Sequence, residues 1–418
     1  MKRRAQLIMF LLAVGYYVGC APVEFNKDNN CGANCVSVNG KKEYRYAVTP
    51  NSGKVDILFV DDNSGSMSFE QNAIANRFST FIATLDSKNI DYRIGIITTD
   101  VSGGSNPARA INRNGALQDG RLIEFSNSFP SHSGTGLYYI TPATANKTAL
   151  FANTIRRPET LTCEAFLANN PSAGQTSSAY QANCPSPDES GIYAANMTVQ
   201  NNPNGFIRSD AHLAIVFIGD EDERSSLYHQ TASYALAVAD LPQALINKVE
   251  ATYPGKSLKM HSIIVRPGAL TVSPQEASNR FAMINAGGGV NASYAPQTFF
   301  SGGDAGCLNI QSNQTNGVLG SYGYLYALAT RLTGGVEGDI CASDYGSQLA
   351  NIGDNIGESF AQRTLYCANP GQIDLQTPMV TFTPANNGNA YSISGNIIHF
   401  NPNLAPGTQA YLQYTCPE

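Results

Sequence analysis

The stretch "ILFVDDNSGSMS", residues 57–68, constrains the chain more than any other. Ile57, Leu58, Phe59 and Val60 form an unbroken apolar run, the pattern of a strand covered on both faces within a parallel sheet. The run ends in Asp61 and Asp62, which are costly to bury, and then in the turn formers Asn63, Ser64 and Gly65. "HLAIVFIGDEDE" repeats the theme, with an apolar run to Ile218 emptying into Asp220, Glu221, Asp222 and Glu223. Around these two runs the chain alternates: "FEQNAIANRFSTFIATL" has helical spacing, "YRIGIITTD" is a strand ending in Thr98, Thr99 and Asp100, "LKMHSIIV" is a strand and "YLYALATRL" a helix. Strand, helix, strand with short connections is the βαβ unit. The alternation predicts an α/β fold, a doubly wound, mostly parallel sheet of five or six strands flanked by helices, over residues 54–363.

Four further segments surround that domain. Residues 1–20 have a basic start at Lys2, Arg3 and Arg4, an apolar stretch from Leu7 to Val14 and Gly19 before Cys20, as an export signal requires, and the run is too short to span a membrane. Residues 21–53 read as a flexible tether. Residues 102–187, rich in Gly, Ser, Asn and Pro, read as a loop-rich insertion stapled by a disulfide. From 364 to 418 the period shifts to two, with Asn-Gly, Ser-Gly and Pro-Gly turns, which predicts a small antiparallel β domain. "ASYALAVADLPQALINKVEATY" reads as a helix interrupted at Pro242.

Nine cysteines leave eight to pair once Cys20 is set aside, which suits an oxidising compartment. Position along the chain suggests Cys31–Cys35, Cys163–Cys184, Cys307–Cys341 and Cys367–Cys416. "Val18-Gly19-Cys20" resembles the lipobox of bacterial lipoproteins, with Tyr17 where Leu is usual; the resemblance implies a lipid on Cys20, and Ala21 and Pro22 imply the outer membrane rather than the inner. A cleaved signal peptide with an unmodified Cys20 is the alternative. Only 14% of residues are charged, the net charge is -6 and no basic stripe occurs, which argues against nucleic acid or an anionic membrane surface as partner.

In an open α/β sheet ligands bind beyond the carboxyl ends of the strands, where the loops after residues 60, 99 and 219 must meet. Hydroxyls and carboxylates without a His or Cys cluster are hard oxygen donors, suited to Mg²⁺, Mn²⁺ or Ca²⁺ and poor for zinc. Without a cation, facing aspartates would repel by several kcal/mol even at an effective dielectric of about 20. "Asp62-Asn63-Ser64-Gly65-Ser66-Met67" resembles the Asp-x-Ser-x-Ser signature of von Willebrand factor A domains, the first part of their metal-ion-dependent adhesion site, and Asp220 matches the family's Asp at the end of the fourth strand. The resemblance implies that Ser64 and Ser66 ligate a metal, that Asp62 and Asp220 act directly or through water, and that one coordination position accepts a partner's carboxylate. The family's loop Thr has no clean counterpart; Ser186 in "CPSPDESGIYA" and Thr99 are the two candidates. Several later phrases, among them "TGGVEGDICASDYGSQL", also look like a group of secreted bacterial lipoproteins that carry such a domain.

Register separates the two aspartates: Asp62, Ser64 and Ser66 step by two onto one side of the turn, so Asp61 is a neighbour rather than a ligand. Glu221, Asp222 and Glu223 read as an exposed acidic loop, and Asp100 is undecided. No Gly-x-Ser-x-Gly or His-Glu-x-x-His motif occurs, and "PGKS" at 254–257 has Glu250 where a P-loop needs its first glycine. His229 reads as a surface residue and His261 as a satisfied strand residue. The expectation is a non-enzymatic envelope lipoprotein that binds a protein or a surface glycan through a divalent cation and touches the membrane only by its lipid. The alternatives are a metal-dependent hydrolase on the same fold and a structural scaffold with a degenerate site.

Overall fold

The structure, a computed structural model, describes residues 35–417 apart from 39–40, 49–52, 102–118, 175–176, 187–188, 225–232, 235, 255, 287–289, 292–295, 315–319, 359–361, 366–373, 384–389, 395–396 and 402–408. Residues 1–34, with the export signal, Cys20 and Cys31, lie outside the described residues, as do His229 and Cys367. The Cys31–Cys35 and Cys367–Cys416 pairings therefore fall outside as well, although Cys416 is disulfide-bonded.

A small antiparallel sheet opens with β1 (Cys35–Val38) and β2 (Lys41–Val48). The α/β part follows with β3 (Lys54–Asp61), α1 (Ser68–Ser87) and β4 (Asp91–Thr98). Next come α2 (Lys147–Ile155), α3 (Pro158–Asn169), α4 (Ser178–Asn183) and α5 (Gly191–Asn201). The sheet then resumes through β5 (His212–Ile218), α6 (Pro242–Thr252) and β6 (Leu258–Ile264). After α7 (Pro274–Ala286) and α8 (Ala305–Gln314) the chain forms α9 (Tyr324–Thr333), β7 (Glu337–Asp339) and α10 (Tyr345–Glu358).

Five strands make one parallel sheet in the order β7-β6-β5-β3-β4. This is the α/β architecture that the alternation of strands and helices predicts. Successive side chains of a strand point to opposite faces, and β3 obeys this: Leu58 and Val60 enter one core with Ile192, Val199, Leu245, Leu325 and Leu332, while Ile57 and Phe59 enter the other with Ile74, Phe78, Phe81, Leu349 and Ile352. Burial on both faces is the reason the strand reads as an apolar run rather than an alternation. From β3 the chain adds β4 on one side and β5 on the other. The strand order therefore reverses between β3 and β5, and their carboxyl ends open a crevice there.

Three segments differ from the sequence expectation. Part of the supposed tether is a strand: β2 pairs antiparallel with Gln409–Pro417 from Val48↔Ala410 to Lys41↔Pro417, so the chain's two ends build one sheet. Its neighbour Asp374–Thr383 completes a four-stranded sheet over a core of Val380, Leu412, Tyr414 and Cys416, with Tyr44 stacked on Tyr414 at 5.0 Å. The insertion is irregular from 119 to 146, as expected, but carries the helices α2, α3 and α4 between 147 and 183. The helix around Pro242 begins at that proline, whose missing N–H costs nothing in a first turn. Of the expected disulfides, Cys163–Cys184 and Cys307–Cys341 are formed, which fits a secreted or surface-exposed protein. Among the described residues no helix is long and apolar enough to cross a membrane.

Phe59 anchors the α1 side of the sheet. It meets Phe81 edge-on at 5.7 Å and Phe151 of α2 at 5.0 Å, and Phe151 in turn stacks on Phe78 at 3.4 Å. All four rings are fully buried, so Phe59→Ala leaves a cavity that fixed backbone cannot close. Chemical denaturation of that variant is expected to give a stability loss of about 3–5 kcal/mol.

Candidate functional site

The crevice between β3 and β5 brings together the residues that the Asp-x-Ser-x-Ser segment singles out. Asp62 N donates to Ile218 O at 3.0 Å, so the first residue beyond β3 is still tied to β5. Ser64 N then donates to Asp62 Oδ1 at 2.8 Å, an Asx turn that reverses the chain ahead of α1. The reversal sets Ser64 Oγ 3.0 Å from Ser66 Oγ, and Ser66 Oγ donates to Asp220 Oδ1 at 3.1 Å across 154 positions of sequence. Gly219 lies against Asp62: a Cβ there would stand 3.3 Å from Asp62 Oδ2.

The charges of this group are not compensated. Asp62 and Asp220 are each 1% exposed, and Asp62 Oδ2 and Asp220 Oδ2 have no hydrogen-bond partner. Burial, then the Asp220 charge and then that of Glu221, hold the Asp62 carboxyl well above the usual range, against the opposing hydrogen bonds from Ser64. Asp220 is raised by burial, while its hydrogen bonds from Ser66 and the backbone pull the other way. Two carboxylates with two outward oxygens lacking donors, beside two hydroxyls, are an oxygen-only donor set that fits a hard dication. Magnesium–oxygen bonds of about 2.0–2.1 Å place adjacent ligand oxygens about 2.9 Å apart, and the Ser64–Ser66 and Ser66–Asp220 separations are near that value. Cys307, Asp339 and Cys341 also cluster, but the two sulfurs are bonded to each other and are not thiolate ligands.

Asp61 diverges from Asp62, as the register requires, and its Oδ2 accepts from Gln71 Nε2 at 3.4 Å on the α1 side. Asp100 joins two loops: its Oδ2 accepts from Asn63 Nδ2 at 2.8 Å and its Oδ1 from Ser186 N at 3.1 Å. Thr99 is linked to the same loop through its carbonyl, which accepts from Ser190 N at 2.9 Å. Both candidates for the missing loop ligand, Thr99 and Ser186, are therefore buried beside the site.

The acidic run after β5 is not an exposed loop. Glu221 is 6% exposed, Asp222 1% and Glu223 0%. Glu223 receives Ile192 N at 2.7 Å and Tyr193 N at 3.1 Å, so it caps the start of α5, and it also accepts from Tyr326 Oη at 3.2 Å. Asp222 accepts from Leu325 N at 2.9 Å at the start of α9, although burial still raises its pKa to about 8. Helix N-termini supply the donors that water would otherwise give, which is why an acidic run can be buried here. Only tertiary packing brings those N–H groups to it. Glu189 is a site residue that sequence reasoning missed: it is 2% exposed, its Oε2 has no hydrogen-bond partner, and burial, then Glu221 and Asp62, raise its pKa well above the usual range. Its position just ahead of α5, beside Ser186, was the available signal.

No protein-family model matches the chain. No curated protein matches it either. Solved structures similar to it include the pilus adhesin SpaC from Lactobacillus rhamnosus GG, at 11% identity and TM-score 0.33 over 91% of this chain and 42% of that one. The open conformation of SpaC gives 11% identity and TM-score 0.32 over 91% and 41%. The pilus adhesin RrgA from Streptococcus pneumoniae gives 10% and 0.25 over 91% and 60%. The chain spans less than two thirds of the length of each. At these scores the likeness identifies no shared function.

Two other sequence readings are settled by contacts. His261 Nδ1 accepts from Val336 N at 3.1 Å within the sheet, Nε2 has no hydrogen-bond partner, and burial lowers its pKa to about 3, so it is a neutral core residue only half satisfied by hydrogen bonding. Lys256 of the P-loop near miss donates to Ala211 O and Arg208 O, and so closes a loop at the opposite, amino end of β5.

Near the site, Glu70 is fully buried, accepts from Gln311 Nε2 at 2.9 Å and has its pKa raised from 4.5 to about 7, first by burial and then by Asp220. The folded chain keeps a proton on Glu70 that the unfolded chain releases near its ordinary value. The resulting stability is complete below about pH 4.5 and is lost as pH rises through about 7. In the presence of a chelator, the melting temperature is expected to fall between pH 4.5 and pH 7, and Glu70→Gln is expected to flatten that part of the profile.

Proposed function

We propose that this chain is a cell-envelope protein with a von Willebrand factor A type domain, anchored by lipid on Cys20, that binds a protein ligand through a divalent cation held by Asp62, Ser64, Ser66 and Asp220. The observation that carries the reading is the approach of Ser66 Oγ to both Ser64 Oγ and Asp220 Oδ1 beside two buried carboxylate oxygens without donors. In this reading residues 54–363 are the binding domain and residues 364–418, joined by β2, are the small β domain.

A bound dication would supply positive charge and a coordination position for an external carboxylate; Mg²⁺ and Mn²⁺ suit the oxygen spacing better than the larger Ca²⁺. The chain's own residues do the rest. Ser64 and Ser66 offer neutral oxygens, so the net charge of the set comes from Asp62 and Asp220 alone. The Ser64 N–H fixes Asp62 Oδ1 and leaves Oδ2 without a hydrogen-bond partner. Either Ser186, from the loop before α5, or Thr99, just beyond the end of β4, would complete the set. The ligand is a protein side chain, or an acidic surface glycan, with no bond made or broken. The sequence carries no Gly-x-Ser-x-Gly or His-Glu-x-x-His motif, which sets the metal-dependent hydrolase below a binding role; a scaffold with a degenerate site is the remaining reading.

Thermal melting of the full-length chain tests the proposal. Without cation, Asp220→Asn is expected to melt above the parent at pH 8, because it removes one of two crowded charges while keeping an acceptor for Ser66. With Mg²⁺ or Mn²⁺ added, the parent is expected to rise in melting temperature and Asp220→Asn to stay unmoved. A parent that melts at the same temperature with chelator and with either cation would leave the scaffold reading in its place.

A further inference from the structure

The turn that carries Ser64 and Ser66 is held by α3 of the insertion, the helix that also bears one end of the Cys163–Cys184 disulfide. Thr160 Oγ1, fully buried on α3, donates to Asn63 O at 2.8 Å and accepts from Gln71 Nε2 at 3.2 Å. Gln71 Nε2 also donates to Asp62 O at 2.9 Å, and Gln71 Oε1 accepts from Arg157 N at 2.9 Å, so α1 and the start of α3 grip the same two turn residues. Asn63 Nδ2 reaches Glu159 Oε1 at 3.2 Å as well as Asp100.

Gly65 adds an independent observation. Its φ is not positive, so the turn does not demand glycine for its backbone conformation. It demands glycine for clearance: a Cβ at Gly65 would lie 2.7 Å from Cys163 Sγ and 3.2 Å from Leu167 Cδ1. Cys163, Leu167, Tyr180 and Cys184 form their own small apolar cluster on this spot. The disulfide therefore sits directly on the residue between the two serines.

We propose that helix α3, tied down by the Cys163–Cys184 disulfide, is the positioning element of the cation turn, setting the directions of Ser64 and Ser66 through Thr160 on Asn63 and Cys163 on Gly65. The inference rests on the cation reading of the site and adds that the ligand geometry is imposed by the insertion, not by the sheet alone. Residues that orient metal ligands without touching the metal change affinity by about 10–100-fold when they are removed. Gly65 and Cys163 are then a coupled pair rather than two independent sites.

Calorimetric titration of the full-length, metal-stripped chain with Mn²⁺ tests this, with far-UV circular dichroism and melting in chelator as the control for folding. Cys163→Ala/Cys184→Ala is expected to bind Mn²⁺ about 10–100-fold more weakly than the parent. Thr160→Val, which keeps the disulfide, is expected to weaken binding in the same direction, and it decides the question if the disulfide-free variant fails to fold. Gly65→Ala is expected to weaken binding in the parent by a larger factor than it does in the disulfide-free background. Parent-like Mn²⁺ affinity in folded disulfide-free protein and in Thr160→Val would overturn the positioning role while leaving the cation site standing. A parent that binds no Mn²⁺ would remove the cation site and this proposal together.

Discussion

Crowding of negative charge at one point of the sheet governs the rest of the molecule. Asp62 and Asp220 stand at the carboxyl ends of adjacent strands, buried, with one oxygen each lacking a donor. Each such group costs on the order of 1–3 kcal/mol or more if nothing answers it. Both lie in the same crevice as Ser64 and Ser66, so the unanswered charge is concentrated where the hydroxyls of the turn also meet. The strand order makes this unavoidable, because the reversal between β3 and β5 sets the two loops side by side.

Around that point the neighbouring acids are handled by different means. Glu223, and one oxygen of Asp222, are met by the free N–H groups at the starts of α5 and α9, while Asp222 Oδ2 has no hydrogen-bond partner. Glu189 has an oxygen with no such donor and lies near Glu221 and Asp62, and burial together with those two charges favours its protonated form. The insertion closes over the same region. Its disulfide rests on Gly65 and its threonine on Asn63, so the element that looks least regular in sequence touches the serine turn directly.

Much of the scaffold was legible before any coordinates. The apolar runs 57–60 and 213–218 become fully buried parallel strands because burial on both faces leaves no room for polar alternation. The step of two from Asp62 to Ser66 separated it from Asp61, and the two aspartates do turn to different neighbours. Spacing also found Cys163–Cys184 and Cys307–Cys341. Three features were not legible. Lys41–Val48 looked like a spacer because its partner strand lies more than 360 positions away, and no local pattern announces so distant a pairing. Glu221–Glu223 looked solvated because charge runs usually are, and the helix ends that receive them come from elsewhere in the chain. Glu189 carried no motif of its own.

The central strands β3, β4, β5 and β6 with the helices α1 and α9, the turn after β3 and the identity of the oxygen-bearing side chains were determined by sequence alone, since each follows from local periodicity, turn chemistry and residue type. Which of those oxygens share a space was decided only by the fold. Ser66 and Asp220 meet across 154 positions, and Gly65 meets Cys163 across an insertion whose composition predicts loops. Convergence of that kind is a property of strand order and packing, and distances between remote residues are not written in any window of the chain.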